Sequence, residues 1–153
     1  MRNKYFKQSF FLLCLLFSAY HFSQTRKSNF LIMIDDQPCI LTYNMQVNTP
    51  SMGSIEAKYI VGTIDLSEEN YSKFINDESL DFQISFETIL PKFSTAKKYL
   101  VSIPKIFLNQ EYIIINIFNK DSKLYKKRFG GVNKKNRKEY YIVMSTRNAM
   151  KFD

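Results

Sequence analysis

Leu80-Asp81-Phe82-Gln83-Ile84-Ser85-Phe86-Glu87-Thr88-Ile89-Leu90 alternates from end to end. Leu80, Phe82, Ile84, Phe86, Thr88 and Leu90 fall on one side of an extended chain; Asp81, Gln83, Ser85, Glu87 and Ile89 fall on the other. A period of two with one apolar and one wet face is the pattern of a strand in an antiparallel sheet, because parallel strands are covered on both faces.

Working outward, the same extended character recurs. Residues 98–103 form a short strand stopped by Pro104. Residues 111–118 (Glu-Tyr-Ile-Ile-Ile-Asn-Ile-Phe) are so rich in β-branched and aromatic residues that a central position is expected. Asn119-Lys120-Asp121 turns that strand into another at 122–129, Gly130-Gly131 opens a polar loop to Arg137, and residues 138–146 make the last strand. Upstream, residues 29–34 read as a buried strand, Asp35-Asp36-Gln37-Pro38 as a turn, and residues 39–47 as its hairpin partner. Residues 48–54 are a loop and residues 55–64 a strand interrupted at Gly62. Residues 66–76 break the pattern. Asp65 or Ser67 can cap a helix, Glu68 and Glu69 suit its N-terminal end, and Tyr71, Phe74 and Ile75 share a face. The expected fold is all-β: a single antiparallel β-sandwich of about seven to eight strands with one short helix, or alternatively a small β-barrel.

The chain opens differently. Arg2, Lys4 and Lys7 precede the apolar run Phe10-Phe11-Leu12-Leu13-Cys14-Leu15-Leu16-Phe17, and Ser23 precedes Gln24. A positive start, a short apolar core and a small residue before the cut are the marks of a secretory signal peptide. Cleavage is expected after Ser23, although His21 fits its position poorly. The apolar run is shorter than the roughly 20 residues that cross a bilayer, which argues against an uncleaved anchor. Cys14 lies in the middle of the run, not at its end, which argues against lipidation. The organisation read from sequence is a leader at 1–23, a flexible segment at 24–28 and one β-sandwich domain at 29–153. No transmembrane segment is expected in the mature chain, and its expected home is the periplasm, cell surface or medium of a bacterium.

Removing the leader removes His21, the only histidine, and Cys14. Without imidazole, no Ser-His-Asp or Cys-His site can be assembled, and Cys39 alone makes neither a thiolate zinc site nor an intramolecular disulfide. Cys39, in the apolar Cys39-Ile40-Leu41, is expected to be a buried inert thiol. No phosphate-cradling glycine loop is present. The adjacent carboxylates Asp35-Asp36, Glu68-Glu69 and Asp77-Glu78 are what a two-carboxylate glycosidase or a calcium site would draw on, but none has a dedicated loop spacing. The expectation is therefore a protein that is not an enzyme and carries no cofactor or metal, with a histidine-free carbohydrate-active enzyme and a ligand-carrying barrel as alternatives.

Charge is distributed unevenly. Residues 24–91 hold 4 basic and 10 acidic side chains, whereas residues 92–153 hold 15 basic and 4 acidic. The halves could neutralise each other across one fold, or the basic half could present a docking face. Lys123, Lys126, Lys127, Arg128, Lys134, Lys135, Arg137 and Lys138 are the candidate surface for an anionic partner, either an anionic envelope surface or an exported protein. Tyr125, Phe129, Tyr140 and Tyr141 are interleaved with these cations or follow them, as on nucleic-acid surfaces, but export and the lack of a recognition motif disfavour that partner. The plain alternative is a solvated hairpin whose lysines guard an edge strand. Tyr140 and Tyr141 must point to opposite faces, leaving one ring outside. The segment 112–127 resembles strands of small exported β-sandwich domains, the C-terminal sorting domains of gliding-type bacteria among them; it lacks their Tyr-Pro-Asn-Pro opening and glycine-tyrosine terminal strand, so the chain is not assigned to them. The functional expectation is an exported, non-catalytic β-sandwich module of a bacterial cell envelope that binds or scaffolds another exported molecule.

Overall fold

In the computed structural model the described residues are 26–89, 96–130 and 138–153. The expected leader at 1–23, Gln24 and Thr25 of the segment 24–28, Leu90, the connection 91–95 and the loop 131–137 lie outside them. The described chain builds eleven strands, many of them short: β1 (Arg26–Ile34), β2 (Gln37–Pro38), β3 (Tyr43–Thr49), β4 (Gly53–Glu56), β5 (Lys58–Ile60), β6 (Gly62–Leu66), β7 (Asp81–Ile89), β8 (Ala96–Pro104), β9 (Ile113–Asn119), β10 (Tyr140–Ser145) and β11 (Met150–Phe152). Helix α1 (Glu68–Asn76) follows β6, a 3-10 turn spans Lys105–Asn109, and helix α2 (Lys123–Phe129) follows β9. None of the described helices is long and apolar enough to cross a membrane.

The strands form two open sheets: a seven-stranded one in the order β11-β10-β9-β1-β6-β5, with β2 beside β1, and a four-stranded one in the order β4-β3-β7-β8. Among the described residues neither sheet closes on itself, so the fold is a sandwich and not the alternative barrel. The inward positions follow the period of two. Phe30, Ile32 and Ile34 of β1 and Ile113, Ile115 and Ile117 of β9 face Val47, Phe82, Ile84, Phe86, Val101 and Ile103 of the smaller sheet in one buried cluster. Each such side chain contributes about 1.5–3 kcal/mol on leaving water.

Five expectations are corrected. The sandwich is not purely antiparallel, because β1 and β9 pair in parallel, Phe30 opposite Ile113 through Ile34 opposite Ile117. Residues 39–47 do not continue as a hairpin with β1: Gln37–Pro38 pairs back onto it, the Cys39 amide adds one bond to the Ile32 carbonyl at 2.8 Å, and β3 lies in the other sheet. The strand expected at 55–64 is divided, since the chain leaves the small sheet after β4, crosses at Ala57 and enters the large sheet as β5. Leu80, read as inward, precedes β7 and is 87% exposed, and Ile75 of α1 is also exposed. The fifth and largest correction is α2, which occupies the residues expected as a strand at 122–129 and turns the basic segment from a hairpin arm into a helix.

Register fixes where the helices sit. β9 runs with β1, so α2 leaves β9 at the same end as the Asp35-Asp36 turn. β6 runs against β1, with Leu66 opposite Arg26, so α1 caps the other end. The crossing at Ala57 closes one long side of the sandwich. On the other side, the Tyr140 hydroxyl accepts from the Leu100 amide at 3.1 Å and donates to the Leu100 carbonyl at 3.2 Å, bridging edge strand β8 to β10. A cavity of about 280 Å³ opens on this seam beside Leu100, Tyr140 and Ile142.

Candidate functional site: the basic end

Helix α2 begins because Ser122 caps it: its hydroxyl accepts from the Tyr125 amide at 3.0 Å. Lys126, Lys127 and Arg128 fall in the last turn, where positive charge complements the exposed carbonyls. The helix is held on the outer face of the large sheet by aromatic rings. Phe118 and Tyr141 are cross-strand partners on β9 and β10. Tyr125 stacks on Tyr141 at 5.4 Å, and Phe129 stacks on Tyr141 at 4.7 Å and meets Phe118 at 5.6 Å. The Tyr125 hydroxyl also donates to the Lys138 carbonyl at 3.1 Å. Tyr140 and Tyr141 do point to opposite faces, but neither ring is left bare. Tyr140 meets Tyr99 at 5.2 Å on one face, and α2 covers Tyr141 on the other.

This anchoring sorts the sequence-derived cations into two groups. Arg128 is committed, pairing with Asp36 at 3.1 Å and lying 4.6 Å from the Phe118 ring. Lys138 pairs with Asp153 at 3.6 Å and lies 5.9 Å from the Tyr141 ring. Lys123, Lys126 and Lys127 are exposed, and none makes an ion pair with another described residue. Lys134, Lys135 and Arg137 lie outside the described residues.

Sequence reading missed two contributors. Lys97 donates to Asn119 Oδ1 at 2.6 Å, which brings the start of β8 to the same end, and the exposed Lys98 follows it. A basic doublet at the start of a strand was the available signal, but only the pairing of β7 with β8 brings it to this end. Asn119 is the hub here. Its amide and side-chain nitrogens donate to the two Asp35 oxygens at 2.9 and 3.0 Å, and its Oδ1 accepts from the Tyr99 hydroxyl at 2.9 Å. Burial pushes the Tyr99 phenol up to about 12, so it stays a donor. Acidic groups at this end are mostly engaged: Asp36 by Arg128, Glu139 by Lys120 and Asp153 by Lys138. The hydrogen bond and charge of Lys120 hold the Glu139 carboxyl below its usual range.

The carboxylate pairs considered for catalysis are occupied in other ways. Asp35 and Asp36 both have positive φ, 52° and 64°, in the two-residue turn between Ile34 and Gln37, and both side chains are bonded inside the fold. Glu69 pairs with Lys73 at 2.6 Å on α1. Asp77 accepts from Thr49 at 2.9 Å, from Ser51 and from the Ser79 amide at 2.9 Å, with Lys105 at 3.8 Å. Among the described residues, no three His, Cys, Asp or Glu side chains are grouped so as to hold a metal ion. Cys39 is buried, its thiol near the Leu41 carbonyl and the Thr88 hydroxyl, and burial raises its pKa. No protein-family model, curated protein or solved structure matches this chain.

Proposed function

We propose that the protein is an exported, non-catalytic β-sandwich module of a bacterial cell envelope that docks on an anionic partner through the end carrying α2. The observation that carries this reading is the set of three lysines, Lys123, Lys126 and Lys127, exposed and without an ion pair among the described residues on a helix locked by stacked rings. A solvated surface lysine needs no such support. Here the aromatic anchor holds the helix backbone in place, so less order is lost when a partner binds. The involvement of Asp35, Asp36, Glu69 and Asp77 in hydrogen bonds and ion pairs of the fold supports the non-catalytic part. The leader supports export.

Replacing Lys123, Lys126 and Lys127 together by Glu tests the reading, because Arg128 is needed to hold Asp36. The triple variant is expected to fold and to be lost from envelope fractions that retain the wild type. Retention equal to wild type would remove the basic end from the function. Intact-mass measurement tests the export component: the exported product is expected to begin at Gln24, and recovery of only the full-length species would overturn that part.

A further inference from the structure

The same end of the sandwich carries a second feature that charge does not explain. Ile40 and Leu41, in the crossing from β2 to β3, are 74% and 62% exposed, and Ile89 at the end of β7 is 52% exposed. They adjoin one another and the basic end through a continuous line of contacts. The Leu41 carbonyl accepts from Thr88 at 2.7 Å, Thr88 faces Lys97 across the β7–β8 ladder, and Lys97 reaches Asn119 at 2.6 Å. Asn119 holds Asp35, whose neighbour Asp36 pairs with Arg128 on α2. Tyr43, half-exposed, flanks this tip opposite Glu87.

Exposed aliphatic side chains at a tip, beside lysines and an amphipathic tyrosine, form a surface in which one part prefers hydrocarbon and the neighbouring part prefers phosphate. A soluble polyanion would use the lysines and leave Ile40, Leu41 and Ile89 in water. A protein partner would need an apolar patch beside an acidic one. An anionic bilayer offers both layers together, acyl chains beneath a negative headgroup plane. We infer that this end is a peripheral membrane-docking surface for an anionic lipid bilayer, with the Ile40-Leu41 tip entering the acyl boundary and Lys98, Lys123, Lys126 and Lys127 meeting headgroup phosphates. The inference rests on the proposed anionic-partner reading and names its partner.

The chain contains no tryptophan, so Leu41→Trp in the full chain places a single reporter at the tip and reads insertion there independently of residues 10–17. Ile106→Trp, exposed in the 3-10 turn at the opposite end, is the control. With phosphatidylglycerol-containing vesicles, Leu41→Trp emission is expected to shift to the blue and be quenched by brominated acyl chains, while Ile106→Trp stays unchanged. Pure phosphatidylcholine vesicles should give neither effect, and adding the Lys123, Lys126 and Lys127 to Glu changes should abolish both. Sedimentation with anionic vesicles without any change at Leu41→Trp would overturn tip insertion and leave the anionic-partner reading standing. Retention on a soluble polyanion but not on vesicles would overturn the bilayer as partner, again without touching that reading. Binding to neither would overturn both.

Discussion

Asp77 shows how one carboxylate can set an acid limit on the fold. Its side chain is almost inaccessible, and the hydrogen bond from Ser51, followed by those from Ser79 and Thr49, holds its pKa well below the ordinary carboxylate value. The folded value lies below the unfolded one, so the stabilisation is complete above the unfolded pKa of about 4 and is lost as pH falls toward the folded value. Urea midpoints are therefore expected to fall steadily below about pH 4 in the wild type. Asp77→Asn should flatten that dependence while lowering stability at neutral pH. An unchanged acid slope would mean that another carboxylate governs it. Asn119 is the other residue whose loss spreads. Asn119→Ala removes the partner of one Asp35 oxygen and of the buried Tyr99 hydroxyl, while the backbone amide at 119 still serves the other Asp35 oxygen, and should cost about 1–3 kcal/mol in chemical denaturation.

Among the elements, α2 teaches the most about sequence reading. Tyr125 and Phe129 are four residues apart, a spacing that puts side chains on one face of a helix and also on one face of a strand. Periodicity alone could not choose between them. The discriminating signals were Ser122 as a cap and the basic last turn, and both are realised in the structure. Ser122→Ala should cost about 1 kcal/mol. Tyr125→Ala removes a fully buried ring and should cost about 3–5 kcal/mol, with loss of α2 helicity by circular dichroism. If Tyr125→Ala left stability unchanged, the aromatic stack would not be what holds the helix. By contrast, α1 was legible because its cap, its acidic first turn and Phe74 all agreed.

For the whole molecule, the unequal charge of the two halves of the sequence becomes an unequal distribution in space. The helix carrying Glu68 and Glu69 caps one end, and the helix carrying Lys123, Lys126 and Lys127 caps the other, because β6 and β9 leave β1 in opposite directions. Among the described residues two ion pairs, Asp36 with Arg128 and Asp77 with Lys105, join the acidic half to the basic one. Attraction through such an end is screened by salt, with a Debye length near 10 Å at 0.1 M. Envelope retention is therefore expected to weaken as ionic strength rises, measured by washing fractions through a salt series. Retention indifferent to salt would sink the electrostatic component.

By itself the sequence determined β1, β7, β8, β9 and β10 and the inward faces of Phe82, Ile84 and Phe86, along with helix α1, the turn at Asp35-Asp36 and the presence of a basic segment. These depend on side-chain period and local backbone preference, which neighbouring residues carry. Only the tertiary structure decided that β9 lies parallel to β1, that β4 and β5 belong to different sheets, and that Tyr141 is covered while Leu80 is not. It alone brought Ile40, Leu41, Lys97 and α2 to one end. Those outcomes depend on which strand edges meet across long stretches of chain, and pairing energy between distant segments leaves no periodic mark in either of them.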